Sequence, residues 1–426
     1  MELPGTLAAP AKAIVTATRN AKLRLAGGEP QARLAGGRAG ARRIVVIGAG
    51  VAGMSAALLL RRAGHSTTVL EARTRPGGRV FTLREPFADG LFGEAGAARI
   101  ADQHRRTLMW IQHFGLRLEP MYPPRGRLVK LAGGQRLDGV DAAQLSAHDL
   151  HHMLVGTFPW DSQFSSGRTR RLITHTLTKP GWYRIAGGMD RLTQAFAREL
   201  GDDIQFDAPV TRVVSGDDRV EVTCKSNGTP PQRILADYVL CSAPLTTLQQ
   251  IEFEPALPDS KRAALRQVGS FPALRIYLQL RNRAWMTPGI SGYGLTDDGM
   301  EIWHPRSPPG TERSLLIVYA QGAAAQPFVG LDPQARIRLA IERVSALFPA
   351  LPAHCEQTAQ FCWSDESWSR GAKAANGDYF DTMAQPAGRV FFTGDGTSAD
   401  GWIDGSLASS HRAAADILAH IETNSA

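Results

Sequence analysis

The stretch that most restricts what this chain can fold into begins at residue 44. Ile44-Val45-Val46-Ile47 is a short β-branched run, the loop Gly48-Ala49-Gly50-Val51-Ala52-Gly53 follows at once, and a helical apolar pattern continues from Met54 to Arg62. Thr67-Thr68-Val69-Leu70 then reads as a second strand that ends at the acidic Glu71. Strand, glycine-rich turn, helix and strand make a βαβ unit, which calls for a parallel sheet. In that setting the glycines of a G-x-G-x-x-G pattern permit a tight turn, close approach of backbone to a pyrophosphate, and close helix packing. The helix N-terminus offers unpaired N–H groups to an anion, and Glu71 is placed to accept hydrogen bonds from ribose hydroxyls. A dinucleotide site is expected; a turn with purely structural meaning is the bland alternative.

Which dinucleotide is decided by the next residues. Glu71-Ala72-Arg73 leads directly into Gly77-Gly78-Arg79-Val80. A second glycine turn bearing an arginine brings guanidinium and backbone N–H groups to another face of the pyrophosphate. Nicotinamide-binding units have no such requirement, so the ligand is read as FAD.

With 426 residues, 43 % of them hydrophobic, the chain can bury two cores, and two interleaved domains fit it better than one. Strands and turns alternate from Gly201 to Leu245, where Val220, Val222 and Cys224 alternate with polar residues and Tyr238-Val239-Leu240 runs to Pro244. From Phe271 to about Phe361, strands at Leu274 to Leu280 and Leu315 to Tyr319 mix with a helix around Pro333 to Leu347. Val390-Phe391-Phe392-Thr393 reads as a buried strand, followed by a glycine-rich turn and a long helix from about Asp404 to Ile421. The expected class is α/β. A Rossmann-like FAD-binding domain would be built from residues 43–100, 186–250 and 386–426. An interleaved mixed-sheet and helical substrate-binding domain would come from 101–185 and 251–385, and residues 1–42 would form a partly ordered N-terminal extension.

The net charge of +8 comes from arginines scattered along the chain, with no Lys/Arg block alternating with aromatic residues. Nucleic acid is therefore not expected as a partner, and a solvated basic surface is the simpler reading. Cys224, Cys241, Cys355 and Cys362 make no CxxC pair, so no metal site is expected and a reducing compartment is compatible. His148, His151 and His152 form a His-dense patch in a polar stretch and read as ordinary surface. No apolar run reaches the length needed to cross a bilayer. The first forty residues lack a basic start followed by an unbroken apolar stretch, which fits a signal peptide poorly. The expectation is a cytoplasmic protein without membrane association.

The run from Val69-Leu70-Glu71-Ala72-Arg73 to Gly77-Gly78-Arg79-Val80 resembles the flavin signature of the flavin-dependent amine oxidase family, which includes monoamine oxidases and L-amino acid oxidases. The resemblance covers about Arg43 to Leu418 and is strongest at both ends. Gly388-Arg389-Val390-Phe391-Phe392-Thr393-Gly394-Asp395 resembles the family strand that ends in a glycine-acid pair at the flavin ribityl chain. Asp395 stands where the family usually has Glu, so the ribityl contact is direct or through water. The resemblance also sets Gly96, Ala97, Ala98, Val210 and Ile403 beside the cofactor. Gly401-Trp402-Ile403-Asp404-Gly405 starts the last helix, whose N-terminus, aimed at the flavin pyrimidine, would stabilise negative charge developing there. In Trp368-Ser369-Arg370-Gly371-Ala372-Lys373, Ala372 stands where monoamine oxidases carry the flavin-linking cysteine. Alanine forms no thioether, which implies non-covalent FAD.

The substrate is read from the same resemblance. Gly401-Trp402 is similar to the L-amino acid oxidases, whereas monoamine oxidases have tyrosine where Trp402 stands; the glycine carbonyl there receives the substrate amine and the indole walls the pocket. Gly96-Ala97-Ala98-Arg99 resembles the turn whose arginine clamps the substrate carboxylate through two charge-assisted hydrogen bonds. The alternative is that Arg99 pairs with a local acid such as Glu94. Arg275 stands where the family strand carries a lysine that holds a water near the flavin, which bears on the speed of oxygen use. Ile302-Trp303-His304-Pro305 lacks the family's carboxylate-binding tyrosine, leaving Trp303 or His304 to supply the second polar contact. Lys373 falls on the pocket wall where relatives place an aromatic or aliphatic residue; it either favours a polar or acidic substrate side chain or is a surface lysine.

The implied reaction is oxidative deamination of an L-amino acid. Hydride passes from Cα to the flavin, the imino acid hydrolyses to a 2-oxo acid and ammonia, and molecular oxygen reoxidises the flavin with release of hydrogen peroxide. A homodimer is compatible with the resemblance. Three rivals stand beside this reading: an oxidase or dehydrogenase of a primary amine or polyamine with a structural Arg99, a carotenoid-desaturase-like flavoprotein with no need for Gly401-Trp402, and a non-catalytic FAD-binding protein.

Overall fold

The structure, a computed structural model, describes residues 40–121, 127–140, 182–225, 230–286, 290–305, 307–375 and 379–424. The expectations for the N-terminal extension and for the patch at His148, His151 and His152 lie outside these residues.

Five parallel strands form one sheet, in the order Ile204–Gln205, Ser66–Leu70, Arg43–Ile47, Tyr238–Cys241 and Val390–Phe392. A parallel sheet is covered on both faces, which is why Arg43–Ile47, Tyr238–Cys241 and Val390–Phe392 are nearly unbroken apolar runs. Successive residues of the strand Arg43–Ile47 feed different cores. Ile44 and Val46 pack with the helices Val51–Arg62, Asp190–Leu200 and Ile403–Thr423. Val45 and Ile47 pack with Val213, Val220 and Val222 of a separate four-stranded sheet. The first helix starts at Val51 rather than Met54, because the glycine loop is itself its first turn, with Gly50 as an extended N-cap.

Seven strands form a second, mixed sheet: Cys355–Cys362, Ala273–Leu280, Ser314–Gln321, Glu301–Trp303, Ile290–Leu295, Arg127–Ala132 and Gln135–Val140. Side chains alternate between its faces. Leu274, Ile276, Leu278 and Leu280 join one core with Ile337, Ala340 and Val344 of the helix Pro333–Leu347. That helix is capped by Asp332, which accepts from the N–H groups of Gln334 and Ala335. The alternate residues face the segment that follows the second glycine turn: Gln279 Oε1 accepts from Ala88 N at 2.7 Å, and Tyr277 OH donates to the Glu94 carbonyl at 2.7 Å. These contacts set the two sheets around a common space. Among the described residues, no helix is long and apolar enough to cross a membrane.

Candidate active site

That space is a cavity of about 1570 Å³, lined by residues of both sheets. Pockets for drug-sized ligands enclose roughly 300–1,000 Å³, so a dinucleotide and a small substrate fit together here. Every residue proposed for the site from sequence lines the cavity except Gly53, Trp303 and His304. Gly48 adopts a φ of 99°, a conformation that L side chains rarely take, and its N–H donates to the Leu70 carbonyl at 2.8 Å. Gly53 works from behind: a Cβ there would lie 2.1 Å from the Gly48 carbonyl oxygen, so its bareness lets the helix close on the turn. The second glycine turn docks on the first, with Gly77 N donating to Ala49 O at 2.8 Å and a Cβ at Gly78 reaching within 3.6 Å of Gly50 Cα. Glu71 accepts from the N–H groups of Ala49 at 2.7 Å and Arg73 at 2.9 Å; burial raises its carboxyl pKa against the pull of both bonds. Ala72, Ala97, Ala98 and Val210 add small apolar surface.

The charges on this side are largely matched within the protein. Arg79 binds Asp395 through both guanidinium nitrogens, Nη1 to Oδ2 at 2.8 Å and Nη2 to Oδ1, and Nη1 also reaches the Ala372 carbonyl at 3.1 Å. Burial opposes ionisation of Asp395, but this bidentate pair holds its carboxyl below the usual carboxylate range. Arg73 donates to Glu366 at 3.1 Å and to Ser369 Oγ at 2.8 Å. Gly394, at a φ of 105°, turns the chain so that Asp395 faces the cavity. The helix Ile403–Thr423 opens behind Trp402, whose N–H donates to Asp400 Oδ1 at 3.2 Å, and Asp404 accepts from Thr107 N and Oγ1 at 2.8 and 3.0 Å. Gly401, Trp402, Ile403 and Asp404 all line the cavity.

The mixed sheet contributes a row of side chains in register. Arg275 stands opposite Tyr319, and Tyr319 opposite Glu301, across adjacent antiparallel strands. Arg275 Nη1 donates to the carbonyls of Glu94 at 2.5 Å and Gly96 at 2.6 Å. Buried Glu301 accepts from Arg99 Nη2 at 2.5 Å and from Tyr293 OH at 3.0 Å. The Trp303 indole lies 5.2 Å from the Arg99 guanidinium and 5.6 Å from that of Arg275, within cation–π reach of both. The turn carrying Arg99 is fixed further by Trp363 Nε1, which donates to Ala95 O at 2.7 Å. The Trp402 ring packs 5.5 Å from Trp182 and 5.4 Å from His104, whose Nδ1 accepts from Ala101 N. Lys373 lies 4.5 Å from the Phe271 ring, where burial lowers its ammonium pKa against the opposing field of Asp395.

The family model for flavin containing amine oxidoreductases matches residues 51–150 and 150–418. The chain belongs to this family. Over 88 % of its length it is 26 % identical to the L-amino-acid oxidase of Pseudechis australis, covering 86 % of that protein. It is 27 % identical to the L-amino-acid oxidase of Vipera ammodytes ammodytes, covering 92 % of that one. Among solved structures, putrescine-bound putrescine oxidase matches with a TM-score of 0.75 at 22 % identity, over 89 % of this chain and 99 % of that one. Cyclohexylamine oxidase from Brevibacterium oxydans matches with a TM-score of 0.77 at 20 % identity, over 90 % and 100 %. At these identities the structural likeness is one of fold.

Three expectations change in the oxidoreductase. The partner of Arg99 is Glu301, not Glu94, because the Glu94 carboxylate turns toward the parallel-sheet half, where it accepts from Met189 N at 2.9 Å and Thr82 Oγ1 at 2.7 Å. Trp303 supplies no polar contact to the cavity: it shares the face of Arg275 but sits one row deeper, beneath both guanidiniums. Strand alternation sends His304 to the opposite face, beside Trp285 at 6.3 Å. The hydroxyl at this wall belongs to Tyr319, which lines the cavity and donates to Gln321 Oε1 at 3.0 Å. Tyr319 belongs to the strand Ser314–Gln321, which is legible as an apolar run from Leu315, but its pairing opposite Arg275 is a fact of register. His104 and Trp182 also line the cavity, although a His three residues before the helical Thr107 and an aromatic opening a strand carry little signal of their own.

Proposed function

We propose that this oxidoreductase holds FAD non-covalently and oxidises the amine of an L-amino acid. The glycine cradle at Gly48, Gly50 and Gly78 and the buried Glu71 fit the dinucleotide, and Ala372, at the cavity wall, offers no sulfur for a covalent link. Bound flavin supplies the two-electron acceptor, and with oxygen the products are a 2-oxo acid, ammonia and hydrogen peroxide.

One observation carries the choice of an amino acid. Arg99 and Arg275 both line the cavity and hold their guanidiniums near a single indole, while the carboxylates that line it lie elsewhere or are engaged. Asp395 is clamped by Arg79, Glu71 is held at the glycine loop, and Asp400 and Asp404 stand at the start of the last helix. Arg99 shares its charge with Glu301, whereas the Nη1 bonds of Arg275 go to neutral carbonyls, so this wall keeps positive charge. At an effective dielectric near 20, a unit charge 4 Å away contributes about 4 kcal/mol; that favours a substrate carboxylate and repels a dication such as a diamine. In this arrangement Arg99 orients the carboxylate, the Gly401 carbonyl receives the amine, and Trp402, braced by Trp182 and His104, walls the pocket. Glu301 favours the rival reading, since it matches Arg99 without any substrate, and a plain amine then needs no further anion.

Anaerobic mixing of the purified holoprotein with a panel of L-amino acids, putrescine and cyclohexylamine tests the proposal. L-Amino acids should bleach the flavin absorbance, and admission of oxygen should restore it with release of peroxide. Bleaching by the simple amines alone would overturn it.

A further inference from the structure

A carboxylate presents two oxygens with several acceptor sites between them, and Arg99 already commits Nη2 to Glu301. Residues 302–305 offer no hydroxyl to share the task. The mixed sheet sets one beside the pair instead. Glu301 and Arg275 each stand directly opposite Tyr319 on neighbouring antiparallel strands, which puts the three side chains on one face. The Tyr319 ring lies 5.9 Å from that of Trp303 and 4.5 Å from the Arg275 guanidinium, while the Arg99 guanidinium lies 5.2 Å from the same indole. Tyr319 is therefore linked to Arg99 by two routes, through Glu301 and through Trp303, each a single residue long.

The hydroxyl has a partner that can release its hydrogen. Tyr319 OH donates to Gln321 Oε1 at 3.0 Å, and both residues line the cavity. They are alternate residues of one strand, so they share its face. An amide carries an acceptor oxygen and a donor nitrogen on the same carbon. Half a turn of the Gln321 amide brings Nε2 to the Tyr319 oxygen, and the hydroxyl then donates to an anion in the cavity without any hydrogen bond being lost.

We infer that the Tyr319 hydroxyl is the second contact of the substrate α-carboxylate, beside Arg99, with the Gln321 amide holding the hydroxyl until the anion arrives. This rests on the amino-acid reading above.

The holoprotein and its Tyr319→Phe and Gln321→Glu variants, all checked for full flavin content, provide the test. Phenylalanine keeps the ring against Trp303 and Arg275 and removes only the donor; glutamate, an acceptor alone when ionised, keeps the hydroxyl hydrogen for itself. Anaerobic flavin reduction by L-norvaline is followed, along with binding of pentanoate, which lacks its amine, and of butylamine, which lacks its carboxylate, both by titration calorimetry. Each variant should weaken pentanoate binding and lower kcat/KM for L-norvaline by about 10- to 100-fold. Tyr319→Phe should leave butylamine affinity within about 3-fold of wild type. If L-norvaline reduces the flavin but pentanoate binds Tyr319→Phe as it binds wild type, the inference fails and the amino-acid reading stands. An equal loss of butylamine and pentanoate binding would also overturn it, since the hydroxyl would then serve the shape of the pocket rather than the carboxylate. If no amino acid reduces the flavin while pentanoate binding still depends on Tyr319, the carboxylate contact stands and the amino-acid reading fails.

Discussion

On the parallel-sheet side of the cavity, Gly48, Glu71 and Gly78 reach their places within one βαβ unit and the turn that follows it. On the mixed-sheet side, Arg275, Tyr319 and Glu301 meet only because three strands pair in one register, and the Arg99–Glu301 contact closes over 202 residues of sequence. The first wall is shaped by backbone: positive-φ glycines, a helix N-terminus and carbonyls that leave no room for a Cβ. The second is shaped by side chains held against one another, and its charge balance depends on which of them pair. A backbone-built wall suits the invariant part of a ligand, and a side-chain-built wall suits the part that defines specificity.

Removing Arg99 gives the largest effect that separates these roles. Arg99→Met leaves Glu301 buried and still accepting from Tyr293 OH but stripped of its guanidinium, and loss of one partner of a buried pair costs about 3–5 kcal/mol. The double variant Arg99→Met/Glu301→Gln removes the stranded charge and should recover most of that stability. It should not recover kcat/KM for L-amino acids, which should stay at least about 100-fold below wild type. Urea unfolding and steady-state kinetics of both variants measure the two quantities. Recovery of activity together with stability would make Arg99 structural and would erase the contrast between the walls.

The same contrast accounts for what could be read from the sequence. The βαβ unit, the helix Pro333–Leu347 and the strands around Leu274 and Val390 follow from local periodicity and glycine placement, and the first glycine loop, between its strand and helix, points to a dinucleotide. Matching the tetrapeptide Ile302 to Pro305 by position alone places Trp303 and His304 at the cavity, whereas alternation continuing past the strand Glu301–Trp303 sets Trp303 near the guanidiniums and His304 beside Trp285 on the other face. The Arg79–Asp395 clamp joins two motifs that were each legible, but their meeting across 316 positions was not. Tyr319 and Glu301 carry no local signal, since a tyrosine and an acid on a strand become site residues only through their cross-strand neighbours.

Gly96 is where the two walls touch, and substituting it tests how far they are independent. A Cβ there would sit 1.7 Å from the Arg79 carbonyl oxygen and 3.1 Å from the Trp363 ring. The obstructing atom is backbone, which gives way at higher cost than a flexible side chain, so Gly96→Ala should destabilise the protein by about 3 kcal/mol. Because Arg79 also holds Asp395, the variant should lose flavin along with stability. Thermal unfolding and the flavin-to-protein ratio after gel filtration report both; wild-type values for each would show that the turn and the second glycine motif move freely past one another.

Glu94 ties the walls together by a subtler route, with its carbonyl held by Arg275 and Tyr277 of the mixed sheet and its carboxylate by Met189 N and Thr82 of the other half. Burial raises its carboxyl pKa to about 7 from 4.5, against the two hydrogen bonds that favour the ionised form. The folded state therefore binds this proton more tightly than the unfolded chain does. The resulting stabilisation is fully present below about pH 4.5 and is lost as the pH rises through about 7, when a buried charge must be carried. Between pH 5 and 8 the change amounts to about 2.5 kcal/mol, at about 1.4 kcal/mol per pKa unit. Glu94→Gln cannot titrate, so the difference in unfolding free energy between wild type and variant should fall by that amount over this range, with the wild type losing ground as pH rises. A difference independent of pH would mean that Glu94 stays ionised throughout, its bonds to Met189 and Thr82 outweighing its burial. The link between the walls would then be a permanent anion facing the parallel-sheet half.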